Sequence, residues 1–102
     1  MKTIWERRSA LKDFYKVLYK KETKKFLKKN PKMGYRFLKN FEELAKDFHQ
    51  NYKNFDINVY NSISNAFRMR IGDYRAIFLV KETEIKIIEV IKIDSRGSSY
   101  KK

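Results

Sequence analysis

The sequence predicts an α+β domain of order β-α-α-β-β-β, an antiparallel sheet with two helices packed on one face. Two observations carry that expectation. Phe67 to Ile71 alternates apolar and polar residues and Tyr74 to Val80 is an apolar run broken only by Arg75, with a tight Gly72-Asp73 turn between them, the pattern of a β-hairpin. Upstream, Phe37, Phe41, Leu44 and Phe48 recur at helical spacing and form one apolar stripe. With 102 residues, of which 42% are hydrophobic and 16% aromatic, the chain can bury one modest core, so a single domain is expected rather than a disordered basic tail.

The elements follow in order. Residues 1–13 are charged and aperiodic and are read as an N-terminal extension, leaving 14–102 as the domain. Tyr15, Val17 and Tyr19 alternate with polar or outward positions, giving a first strand at about 14–20. A short basic helix over 22–29 carries Phe26 and Leu27 inward. Asn30-Pro31 ends it and starts the next helix, since Asn suits the cap and Pro the first helical position. That second helix is expected at about 33–50, with Leu38, Ala45 and Tyr52 broadening its stripe. Residues 51–65, rich in Asn, Ser and Asp, are read as a connector. Three strands are then expected at about 66–71, 74–81 and 84–93.

In the hairpin register, Ile71 faces Tyr74, Arg70 faces Arg75 and Met69 faces Ala76. Side chains alternate faces along a strand, so Arg68, Arg70 and Arg75 converge on one side, and Phe67, Met69, Tyr74, Phe78 and Val80 take the other. Like charges directly opposite across a strand pair destabilise it, so an anion is expected between Arg70 and Arg75. A turn at 81–84 that pairs Val80 with Ile85 would put Ile85, Ile87, Ile91 and Ile93 on the core face, with Glu89 unexplained among them. The opposite face would then hold Ile77, Leu79, Ile88, Val90 and Lys92 beside the arginines, with Arg96 continuing the same parity.

Charge narrows the partners. Lys and Arg number 25 against 12 Asp and Glu, a formal net charge of +13. Such a surplus on a small domain points to a polyanion, most often nucleic acid, or to an acidic protein. There is no cysteine, and His49 is the only histidine, which removes disulfide frameworks, thiolate metal sites and clustered His ligands. No cofactor and no metal are expected. No signal-like or membrane-spanning run is present, so a cytoplasmic protein without membrane contact is expected. Lys20, Lys21, Lys24, Lys25 and Lys28, with Lys92, are candidates for binding a polyanion such as RNA; a solvated helix face is the plainer reading of the first five. His49 is read as an ordinary helix-surface residue.

Two motifs, Arg68-x-Arg70-Ile71-Gly72-Asp73-Tyr74-Arg75 and Arg96-Gly97-x-x-Tyr100, at this spacing and after this helical pair, resemble the RelE/ParE superfamily of toxins from type II toxin–antitoxin systems, the RelE branch more than the ParE branch. The resemblance covers about 14–102. It implies a RelE or microbial-ribonuclease-like fold, a separate cognate antitoxin, and ribosome-dependent cleavage of mRNA. Contact with operator DNA would come only through the antitoxin complex. It also implies a catalytic set of Arg68, Arg70, Arg75, Arg96 and Tyr100. The chain departs from the RelE pattern in carrying arginine where the first two basic positions are lysine, and Ser98 where Asp or Asn is frequent.

The chemistry expected of that set is attack of a ribose 2′-hydroxyl on the adjacent phosphate. Preorganised cations aimed at the developing charge are usually the largest catalytic contribution, and the guanidinium fork matches phosphate geometry. Arg70 and Arg75 would clamp the scissile phosphate, Arg68 and Arg96 would hold the neighbouring backbone, and Tyr100 would stack on a base or move a proton. Arginine cannot be deprotonated in a protein, so none of the four can serve as general base. The plainer reading of the arginines is a solvated basic sheet face. Two rival functions remain: a ParE-like inhibitor of DNA gyrase that binds without cutting, and an inactive member retained as a DNA-binding corepressor with its antitoxin.

Overall fold

The computed structural model describes residues 14–95. They form strand β1 (Lys16–Tyr19), helices α1 (Lys21–Lys29), α2 (Pro31–Lys46) and α3 (Phe48–Asn51), a 3-10 turn (Tyr52–Asn54), and strands β2 (Ile57–Val59), β3 (Ala66–Ile71), β4 (Tyr74–Glu82) and β5 (Lys86–Ser95). The strand order is β1-β5-β4-β3-β2. The α+β class stands, but the sheet is mixed, because β1 runs parallel to β5 while the other pairs are antiparallel. Local alternation predicts a strand at β1 without predicting its neighbour, and this neighbour lies some seventy residues away in the chain.

Two further differences have local causes. The helix expected to run to residue 50 breaks at Asp47, whose backbone is extended and whose Oδ1 accepts from the Gln50 N–H, opening α3. Asp competes for backbone donors and so favours a cap over a helix interior. The connector also contributes β2, a three-residue edge strand paired with β3. Between them Asn61 and Ser62 both adopt positive φ, which closes the tight return. Asn30 takes the cap position before Pro31, yet its side-chain Nδ2 donates backward to the Phe26 carbonyl at the end of α1.

The hairpin register is as expected, with Ile71 opposite Tyr74 and Arg70 opposite Arg75. Gly72 has φ +59°, the left-handed value a two-residue loop opening on Gly needs. Helices α1 and α2 cover one face. Phe37, Phe41 and Leu44 are fully buried with Met69, Ala76, Phe78, Ile88 and Val90. Edge-to-face ring contacts join Phe41 to Phe78 at 5.2 Å and Phe26 to Tyr74 at 5.5 Å. Each fully buried large side chain of this kind contributes about 1.5–3 kcal/mol. Gly34 lets α1 and α2 approach: a Cβ there would lie 3.0 Å from the Leu27 carbonyl oxygen.

The expected β4–β5 register is corrected. Val80 pairs with Ile88, not Ile85, and Ile85 is 63% exposed in the turn. Ile88 and Val90 therefore belong to the core, and Ile87 and Glu89 to the opposite face. That change accounts for Glu89, which lies between Lys81 Nζ at 3.0 Å and Lys20 Nζ at 3.9 Å rather than among the isoleucines. A β-bulge then interrupts the ladder: Ile77 pairs with Lys92 but Phe78 with Val90, leaving Ile91 extra. A bulge shifts alternation by one residue. Beyond it Ile93 turns into the core while Lys92 and Asp94 turn outward.

Candidate anion-binding face

Arg68 and Arg70 on β3 and Arg75 on β4 emerge on the sheet face away from α1 and α2, as alternation requires. The pairing sets out a row across the sheet. Arg70 lies opposite Arg75, and Arg75 lies opposite Asp94. The row behind it holds Arg68, Ile77 and Lys92. Arg96 and Tyr100, expected to complete the set, lie outside the described residues.

The chain itself supplies carboxylates at the two ends of this row. They flank the pair instead of separating it. Arg75 Nε donates to Asp94 Oδ1 at 3.2 Å, and Arg70 Nε to Asp56 Oδ2 at 3.3 Å. Neither pair is buried: the side chains are 25% and 28% exposed in the first, 36% and 49% in the second. The second oxygen of Asp94 lies 3.5 Å from Lys92 Nζ. Arg68 differs from both. Its Nε is buried and, among the described residues, has no hydrogen-bond partner. A buried cationic N–H without an acceptor is costly and calls for an explanation.

The lysines divide. Lys92 stands with the arginines, and Lys20 reaches Glu89 on the same face. Lys21, Lys24, Lys25 and Lys28 are exposed along α1, in the layer on the other side of the sheet. They belong to a separate basic surface. A groove of about 640 Å³ lined by Asn30, Pro31, Lys32, Met33, Arg36 and Tyr74 also opens on the helix side, apart from the Arg68, Arg70 and Arg75 face.

One cluster escaped the sequence reading. His49 is exposed, as expected, but its Nε2 lies 2.6 Å from Glu82 Oε2, which also accepts from the buried Tyr15 hydroxyl. The Tyr15 hydrogen bond, with help from His49, holds the Glu82 carboxyl below the ordinary value, against a smaller opposing effect of burial. These three residues are far apart in sequence, and no short-range pattern could join them. The cluster ties the start of β1 and α3 to the end of β4, away from the arginine row. Burial, with the charge of Glu42, pushes the Tyr19 phenol upward, so that group stays protonated. Among the described residues no group of three or more acidic or histidine side chains is placed to hold a metal ion, and no helix is long and apolar enough to cross a membrane.

Comparison with solved structures adds identity to geometry. The chain is similar to a chain of the archaeal RelE–RelB complex from Pyrococcus horikoshii OT3, with 31% identity, 81% of this chain and 96% of that one covered, and a TM-score of 0.66. A RelB–RelE antitoxin–toxin complex from Methanococcus jannaschii matches at 28% identity, with 82% and 95% covered and a TM-score of 0.61. No protein-family model and no curated protein sequence matches. These finds correct the resemblance drawn from the motifs. Both structures are two-protein assemblies, and the likeness does not place the chain on the toxin side; it supports a component of a toxin–antitoxin complex.

Proposed function

Because the chain belongs to the RelE–RelB toxin–antitoxin family, we propose that it is the RNA-cleaving member of its pair: a metal-independent endoribonuclease that cuts mRNA on the ribosome, arrests translation, and is held in check by a separate partner protein. The observation that supports this most is the basic face itself. Three guanidinium groups from adjacent strands share one side of the sheet, and among the described residues the buried Nε of Arg68 has no acceptor. A phosphodiester on this face would meet the exposed part of the Arg68 side chain. It would also meet Arg70 and Arg75, whose carboxylate contacts are partly exposed and worth no more than about 1 kcal/mol each.

In the reaction the ribose 2′-hydroxyl loses its proton as its oxygen bonds to phosphorus, and the bond to the 5′-oxygen breaks, leaving a 2′,3′-cyclic phosphate and a 5′-hydroxyl that takes up a proton. Arg70 and Arg75 stabilise charge on the non-bridging oxygens, Arg68 and Arg96 hold the flanking backbone, and Tyr100 stacks on a base or passes a proton. With no strong base among these side chains, cleavage depends on the ribosome to align the RNA.

Programmed ribosomes test the reading directly. The full chain should cut mRNA within the ribosomal A site, and its partner should stop the cutting. Induction in cells should halt translation with cleaved mRNA. Intact mRNA accompanied by DNA damage would overturn the proposal in favour of gyrase inhibition.

A further inference from the structure

The row Asp56, Arg70, Arg75, Asp94 has an internal logic that motif reading does not supply. Two arginines directly opposite each other repel, and in water their long side chains would swing apart. Each is caught at its inner nitrogen, Nε, by a carboxylate on its outer flank, at 3.3 Å and 3.2 Å. Asp94 does more than Asp56, because its other oxygen reaches Lys92 Nζ at 3.5 Å, so one carboxylate orders two cations. It reaches this place only because the extra residue at Ile91 turns Lys92 and Asp94 outward; in an unbroken ladder Asp94 would point at the core.

We infer that Asp94 is a positioning residue that holds Arg75 and Lys92 in the orientation that receives the RNA phosphate, with Asp56 doing the same, more weakly, for Arg70. The inference rests on the nuclease reading above and adds to it a cost. Asp94 also repels RNA, so affinity is given up in exchange for a fixed guanidinium. Binding and cutting must then respond in opposite directions when the carboxylate is neutralised.

The test uses the full chain with a short single-stranded RNA for binding and mRNA on programmed ribosomes for cleavage. Asp94→Asn should bind the RNA about threefold more tightly, the size of one exposed charge interaction. It should cut about 10²-fold more slowly, the usual consequence of a misplaced group. Asp94→Glu should recover part of the rate. Independently of any activity, the Nε–H signal of Arg75 in NMR should exchange with water faster in Asp94→Asn than in the wild type.

Tighter binding together with faster cutting would overturn the inference, because the carboxylate would then be only a competitor for phosphate. Weaker binding together with slower cutting, or an unaltered Arg75 Nε–H signal, would overturn it too. A wild-type chain that binds RNA but never cuts it refutes the nuclease reading instead, and the Nε–H signal and the affinity shift still decide the role of Asp94. Should Asp94→Asn fail to fold, Asp56→Asn at the more exposed end of the row carries the same measurements for Arg70.

Discussion

The two faces of the sheet are made from the same strands and obey opposite rules. Toward the helices, Phe78, Val80, Ile88 and Val90 meet Phe37, Phe41 and Leu44 in an aromatic-rich core. Away from them, Arg68, Arg70, Arg75 and Lys92 stand with Asp94, Glu89 and a few aliphatic neighbours. One face stabilises by removing apolar area from water, and crowding there helps. The other concentrates like charges, which costs stability, and meets that cost with partly exposed carboxylates. Alternation lets one strand carry both, so substitutions on β4 can tell the two faces apart.

The largest expected effect belongs to the covered face. Phe41→Ala should cost about 3–5 kcal/mol of unfolding free energy, read from urea denaturation, with RNA cutting unimpaired in whatever protein remains folded. Arg75→Ala should do the reverse: cleavage on programmed ribosomes should fall about 10²–10³-fold, while stability changes by no more than about 1 kcal/mol. An Arg75→Ala protein that melts like Phe41→Ala would erase the distinction between the faces.

The corrected register provides a sharper pair. Ile88→Ala should cost about 2–4 kcal/mol and Ile87→Ala much less, although the two residues are neighbours. Equal losses would mean that the observed β4–β5 pairing is wrong. The smallest effect concerns the Glu82 cluster, at the edge of the covered face. Tyr15→Phe should cost about 1 kcal/mol by removing one hydrogen bond. The folded-state value of Glu82 lies below its ordinary 4.5. Its contribution is therefore present above 4.5 and lost as pH falls through the lower, folded value. Melting temperature should fall more steeply with acid in the wild type than in Glu82→Gln.

Much of this fold was legible in the sequence because the signals were local. The Gly72-Asp73 turn sets the register of its own hairpin, and that register places Arg68, Arg70 and Arg75 together whatever the rest of the chain does. The stripe from Phe37 to Phe48 likewise declares one inward helix face. The break at Asp47 was less visible, since Asp is tolerated in a helix until a cap competes for it. The pairing of Val80 was misread because the 81–84 turn has no glycine or proline to mark its length.

What the sequence by itself determined is a basic α+β domain with three arginines on one side of a hairpin, since period-two alternation and turn chemistry act over a few residues. Tertiary structure alone decided that β1 lies parallel beside β5, that a bulge at Ile91 turns Asp94 outward, and that Asp56 and Asp94 flank the arginines. It also joined Tyr15, His49 and Glu82. Each of these depends on strands and helices meeting across long chain separations, where many pairings satisfy the same local pattern and only packing of the shared core selects one.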